Sequence, residues 1–253
     1  VDYYRALREV LALAWGLLEA DLLAPLPLFL PDLRDTRADG LGEVNALLDR
    51  LRRDFSSRFD LRALDTTLRR LGGRVSAFQR EQLVRQLRAA LAVDPFLSDA
   101  GLEARLSAWV AENVAQVKSI PARLFDEVEK TIIAGARAGQ RHEDLAKDVS
   151  ARFNVAMNRA RVVARDQVLS FYSDLNRMRQ TEAGVTHYVW RSANDSRVRA
   201  QHQRREGKRF AWKNAPAGGH PGEEPLCRCY AEPDLSALLG SHEGSPLRSR
   251  HAP

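Results

Sequence analysis

The stretch AGVTHYVWRSAND, Ala183 to Asp195, is where the sequence changes period. Before it, apolar residues recur every three or four positions, as on one face of a helix. Within it, β-branched and aromatic residues alternate with polar ones, the period of a strand, and Asn194-Asp195 supplies a turn. Downstream, GKRFAW (207–212) reads as a second short strand, NAPAGGHPGEEP (214–225) as a loop and CRCYAEP (227–233) as a third strand. The fold class that follows is mainly α: a multi-helix N-terminal body with a small C-terminal α+β module.

Working back from Ala183, the residues Ala164, Val168, Phe171, Leu175 and Met178 keep helical spacing from about Val155 to Glu182. At 1.5 Å per residue this helix reaches roughly 40 Å, enough to pass from one body to another. RHEDLAKDVSARF (141–153) reads as a separate short helix. KSIPARLFDEVEKTIIAGARAG (118–139) places Pro121 in a first turn, runs Leu124, Val128 and Ile132 along one stripe and ends at Gly139. Asp99 is an expected N-cap for 100–117, with Leu102, Leu106, Trp109 and Val110 inward.

Further upstream, Gly72-Gly73 separates a helix carrying Leu61, Leu64, Leu68 and Leu71 from one carrying Phe78, Leu83, Leu87 and Leu91, which ends before Asp94-Pro95. Val44, Leu47, Leu48, Leu51 and Phe55 mark another helix, and Leu7, Leu11, Ala14, Leu18 and Leu22 the first. Between those two, APLPLFLPD (24–32) with three prolines is an extended connector. The divisions expected are 1–110, a helical body; 111–183, a helical lead-in with the long connecting helix; 184–236, the α+β module; and 237–253, a flexible tail rich in Ser, Gly and Pro.

With 44% hydrophobic and 28% charged residues over 253 positions, the chain has material for a sizeable core. A net charge of +6, largely from arginine, favours contact with nucleic acid or an acidic protein surface, or is a solvated Arg-rich surface. Arginine-rich faces such as RLRRDFSSRF (50–59) are of this ambiguous kind. No run of eighteen apolar residues is present, so neither a membrane-spanning helix nor a membrane partner is expected. Arg8, Glu9, Glu19 and Asp21 interrupt the apolar N-terminal stretch and no small-residue cleavage site follows, which points to a cytoplasmic origin.

The chain's two cysteines, Cys227 and Cys229, lie one residue apart. On a strand they turn to the same face. A bond between them is strained and disfavoured in a reducing compartment. Two readings remain open: a structural zinc site completed by His202 and His220, with His187 a more distant option, or two cysteines buried as small apolar side chains. Asp195, Arg197, Arg199, His202, Gly207 and Trp190 also cluster. They read either as a catalytic or phosphate-binding set, or as a turn in which Asp195 caps a short helix and pairs with an arginine while Trp190 fills the core. No activated nucleophile or base stands out, so no catalytic residue is assigned and the protein is not expected to be an enzyme.

In order and spacing, Ala164, Arg165, Gly184, Tyr188, Trp190, Asp195, Arg197, His202, Gly207, Phe210, His220, Pro221, Gly222, Cys227, Arg228 and Cys229 resemble the phage Mu F-like minor head proteins, the head morphogenesis family of tailed phages. The resemblance covers about 110–233. Some members carry a CxxC where this chain has Arg199 and His202; here His202, His220, Cys227 and Cys229 still suffice for one zinc ion. Trp190, Asp195, Arg197, Gly207, Phe210 and Arg228 are the motif's structural residues. The resemblance implies a minor capsid protein of the virion, in the capsid interior or portal region, assembled in the host cytoplasm. Its implied partners are the portal protein, capsid proteins and packaged DNA. The competing expectation is a metal-dependent nucleic-acid-acting enzyme or toxin-like effector built on His202, His220 and Asp195.

Overall fold

The computed structural model describes residues 2–26, 38–91, 97 and 99–242. Most of the expected connector 24–32, the helix end at Asp94-Pro95 and the tail beyond residue 242 lie outside the described residues. The elements are α1 (Asp2–Leu18), which continues into a π-helical turn (Glu19–Leu23), α2 (Ala38–Arg58), α3 (Leu61–Leu91), α4 (Leu102–Arg137), α5 (His142–Glu182), β1 (His187–Ser192), α6 (Ala200–Gln203), β2 (Arg209–Ala211), β3 (Cys229–Asp234) and α7 (Ser236–His242). The architecture is mainly α with a small antiparallel sheet near the C-terminus. No helix among the described residues is long and apolar enough to cross a membrane.

The chain packs as two compact units interleaved in sequence, 1–71 with 107–165 and 72–106 with 166–253. They do not coincide with the four segments drawn from the sequence: α3, α4 and α5 each contribute residues to both. The first unit buries the stripes expected of its helices, Leu7, Leu11, Ala14 and Leu18 on α1, Val44, Leu48 and Leu51 on α2, and Leu124, Val128 and Ile132 on α4. Aromatic contacts cross between helices, Trp15 stacking on Phe153 at 4.6 Å and Tyr3 meeting Trp109 edge-on at 6.2 Å. Arg52, from the arginine-rich stretch of α2, is engaged by Asp49, Asp126 and Glu129 at 2.7–3.0 Å.

Three helix boundaries differ from the sequence reading. Gly72-Gly73 does not stop a helix: α3 runs 31 residues through both glycines. Each unit buries its own part of α3, Leu64 and Leu68 before the pair and Gln79, Leu83 and Leu87 after it. That burial outweighs the roughly 1 kcal/mol that each glycine costs in a helix. Pro121 sits inside α4 and not in a first turn, buried among Val117, Ile120 and Leu124, whose packing carries the helix past the missing amide. The two helices read from residue 141 onward are one, α5, of 41 residues.

Two side-chain expectations also fail. Phe78 is 55% exposed, because the buried side of α3 at that level is taken by Ser76 and Gln79, which an apolar count passes over. Asp99 does not cap α4 with its carboxylate, which binds Arg80 and Arg179; only its carbonyl accepts from the Leu102 N–H. Gly139 does end α4, at φ +66°, as expected. The expected tail from residue 237 begins as helix, within α7.

The second unit contains a buried polar network. Arg179, 1% exposed, donates to the Ser76 carbonyl and hydroxyl, to Gln79 Oε1 and to Asp99 Oδ1 at 2.7–2.9 Å. Beside it Leu83, Leu87, Leu97 and Val185 form an apolar cluster with Leu235 and Leu238.

The continuity of α3 gives a direct test. A Cβ added at Gly73 meets nothing within 4 Å, and the backbone there is not left-handed. Gly73→Ala is expected to stabilise the chain by about 0.5–1 kcal/mol, read as a raised melting temperature. A helix stop at this position would give no gain or a loss.

Candidate metal centre

The sheet order is β2-β1-β3, all antiparallel. Along β1 the side chains alternate, Tyr188, Trp190 and Ser192 buried and their neighbours half-buried, as the sequence alternation predicts. In register, Trp190 lies opposite Ala231 and Ser192 opposite Cys229. The core of the module is Tyr188, Trp190, Val198, Trp212, Cys227, Cys229 and Ala231, with Phe210 packed against it.

Turns bring the remaining side chains to this core. Asp195 accepts from the Arg197 backbone N–H and pairs with the Arg228 guanidinium, so it organises a turn and an ion pair; the α6 N-cap is Arg199, not Asp195. Arg197 is largely exposed. Gly207, at φ +72°, donates to the Trp190 carbonyl at 2.9 Å, closing the loop between α6 and β2. The structural reading of this cluster is therefore the one its geometry supports. α6 presents His202 inward, 2% exposed.

Cys229 begins β3, whereas Cys227 lies before the strand; both are buried and neither is in a disulfide. Strand alternation therefore is not what turns them the same way. Leu226 adopts a left-handed backbone, φ 57°, with its N–H held by Asp166, and this bend aims Cys227 inward. His202 Nδ1 lies 3.6 Å from Cys227 Sγ and 3.5 Å from Cys229 Sγ. All three ligand atoms fall within 4.8 Å of one another. The Cys227 thiol is pulled down to about 5, first by a hydrogen bond from Cys229, with backbone N–H groups and His202 adding. Cys229 is pushed up by the same pairing and by burial. Two sulfurs held beside an imidazole are the donor types of a thiolate ligand set.

His220 is not in this group, which corrects the four-residue set. It is buried, but its Nδ1 meets the Tyr188 hydroxyl at 2.9 Å, its ring bonds the Trp212 backbone, and its face packs on Trp212 at 5.0 Å. The Tyr188 hydroxyl is held protonated mainly by burial. The loop carrying His220 closes through Gly222, φ +91°, where a Cβ would lie 2.0 Å from Ser173 Oγ. His187, the more distant option, bonds Thr186 through its ring. Nor are His202, His220 and Asp195 assembled as one set: among the described residues, the group of metal-ligand type is His202, Cys227 and Cys229.

One site residue was not read from the sequence. Glu224, 22% exposed in its side chain, places Oε2 3.2 Å from His202 Nε2 and 3.2 Å from Arg199 Nη1. It lies in the GEEP of the loop, where only its nearness to His220 and Cys227 in sequence marked it.

With this geometry in hand, comparison with known proteins identifies the module. Residues 126–232 match the family described as Phage Mu protein F like protein, so the chain carries a Mu F-like region that contains the sheet, α6 and the Cys-His cluster. An uncharacterised protein of Haemophilus influenzae is 31% identical over 147 residues, which are 58% of this chain and 33% of that one. The chain thus spans a third of that relative's length. No solved structure matches significantly.

The role of His220 has a pH signature. Its imidazole is held below 6.5, first by burial, with Arg177 reinforcing and Glu223 opposing. The folded chain resists its protonation, so the stability it supports is complete above about pH 6.5 and is lost as pH falls through the lower folded value. His220→Gln, which hydrogen-bonds without titrating, is expected to flatten the loss of thermal stability between about pH 7 and pH 5. An unchanged slope would show that this imidazole does not titrate with unfolding.

Proposed function

We propose that the protein is a phage minor head protein that takes part in head morphogenesis and associates with the portal. The single observation that carries this reading is the Mu F-like match over 126–232, which spans the whole of the sheet up to Glu232 and the cluster sealed inside it. The polar contacts in and around the module support a scaffolding part: Asp195 holds Arg228, His220 holds Tyr188, and Asn176 and Gln180 of α5 hold the Ala231 carbonyl. The net charge of +6 suits an acidic portal or capsid surface, or packaged DNA, as counterpart. The place of action on this reading is the virion, near the portal or the capsid interior, after assembly in the host cytoplasm.

The test is co-purification. The full chain, co-expressed with a phage portal protein, is expected to co-elute with the portal oligomer, and mass spectrometry of purified virions to find it in few copies relative to the major capsid protein. Absence from virions, together with normal packaging when its gene is deleted, would overturn the reading.

A further inference from the structure

We propose that His202, Cys227 and Cys229 bind one zinc ion through Nδ1 and the two Sγ atoms, that Glu224 orients the imidazole from its far side, and that the fourth position is taken by a small ligand from outside this set. This assignment does not depend on the head-protein reading.

The distances carry the argument. A tetrahedral zinc with bonds of about 2.3 Å to sulfur and about 2.0 Å to nitrogen separates a sulfur from a nitrogen ligand by about 3.5 Å. The two S···N distances are 3.6 and 3.5 Å. Hydrogen bonding alone accounts poorly for that equality. A neutral Nδ1 has either one lone pair or one proton, so it can serve one thiol well, not two at once. An ion between the three atoms serves all of them.

The surroundings agree. His202 Nε2 is buried with no hydrogen-bond partner among the described residues, although Glu224 Oε2 is only 3.2 Å away. A small rotation turns that contact into the carboxylate–imidazole pairing that fixes a metal-bound histidine and raises its basicity. Leu226, directly before Cys227, holds a left-handed backbone conformation that disfavours residues with a side chain. Such a bend is understandable where a sulfur must be aimed. Two thiolates and an imidazole are a donor set that suits zinc. At exposures of 2%, 4% and 7%, His202, Cys227 and Cys229 hold their ligand atoms away from bulk solvent. Among the described residues no fourth His, Cys, Asp or Glu atom joins the group, which leaves the fourth position to a ligand from outside the set.

The experiment uses the purified full chain under reducing conditions. Elemental analysis is expected to give about one zinc per chain, and replacement by Co²⁺ to give a tetrahedral visible spectrum with thiolate-to-cobalt charge transfer. Chelator-stripped wild type should regain a higher melting temperature on adding zinc alone, a readout that needs no variant. Cys227→Ser, Cys229→Ser and His202→Ala should each abolish stoichiometric zinc, whereas His220→Gln should keep it. Glu224→Gln should keep one zinc per chain but weaken its affinity about 10-fold or more. The three-ligand assignment is overturned if a folded His220→Gln protein loses the metal. The site itself is overturned if stripped wild type neither takes up zinc nor shifts its melting temperature, or if intact mass shows Cys227 and Cys229 joined in a disulfide in the reduced protein.

Discussion

One backbone carbonyl holds the second unit's sheet to its helix. The Ala231 oxygen, in the middle of β3, accepts from Asn176 Nδ2 at 2.8 Å and from Gln180 Nε2 at 2.9 Å, both on α5. β3 is an edge strand, and an edge carbonyl would otherwise face solvent or another chain. The two amides are themselves fixed: Gln79 donates to Asn176 Oδ1 at 3.0 Å, and Trp212 donates to Gln180 Oε1 at 3.2 Å. All four polar side chains of this bridge, with Arg179 one residue away, are buried or lie against buried groups. These bonds tie α3, α5, the β2–β3 loop and β3 into one arrangement. Cys229 is two residues from Ala231, and its position follows from that tie.

The sheet and its alternation were legible because strand period and burial agree residue by residue: Tyr188, Trp190 and Ser192 point inward. The helices were legible as stripes and not as boundaries. A stripe records what a helix packs against; Gly72-Gly73 and Pro121 record only what the backbone would prefer on its own. Where packing continues on both sides of the weak point, packing decides. The glycine pair still carried information, because the division between the two packing units falls between Leu71 and Gly72. It marks a change of packing environment within an unbroken helix.

The candidate site shows the same division between what sequence spacing can and cannot express. Cys227, Cys229 and His202 converge, and sequence chemistry named all three. His220 was named on the same grounds, nearness and ligand type, yet the chain turns it toward Tyr188 and Trp212. The distinction lies in backbone conformation, the left-handed Leu226 and the glycine-dependent turn at Gly222, which no residue count reveals. Glu224 was missed for the complementary reason: a lone loop glutamate carries no signal until the imidazole it faces is located.

A module this small has seven residues in its main buried cluster, two of them cysteines. Cysteine adds less apolar area than leucine or valine, so a cluster built this way holds itself together weakly by burial alone. Two features offset the deficit. The polar bridge anchors one edge of the sheet on α5, and the Cys-His group joins β3 to α6 at the opposite end of β1 from Tyr188. If an ion occupies that group, β3 is held twice, to α5 at Ala231 and to α6 at Cys229. Both anchors reach into the glycine-rich loop between β2 and β3, the bridge through Trp212 and the Cys-His group through Cys227.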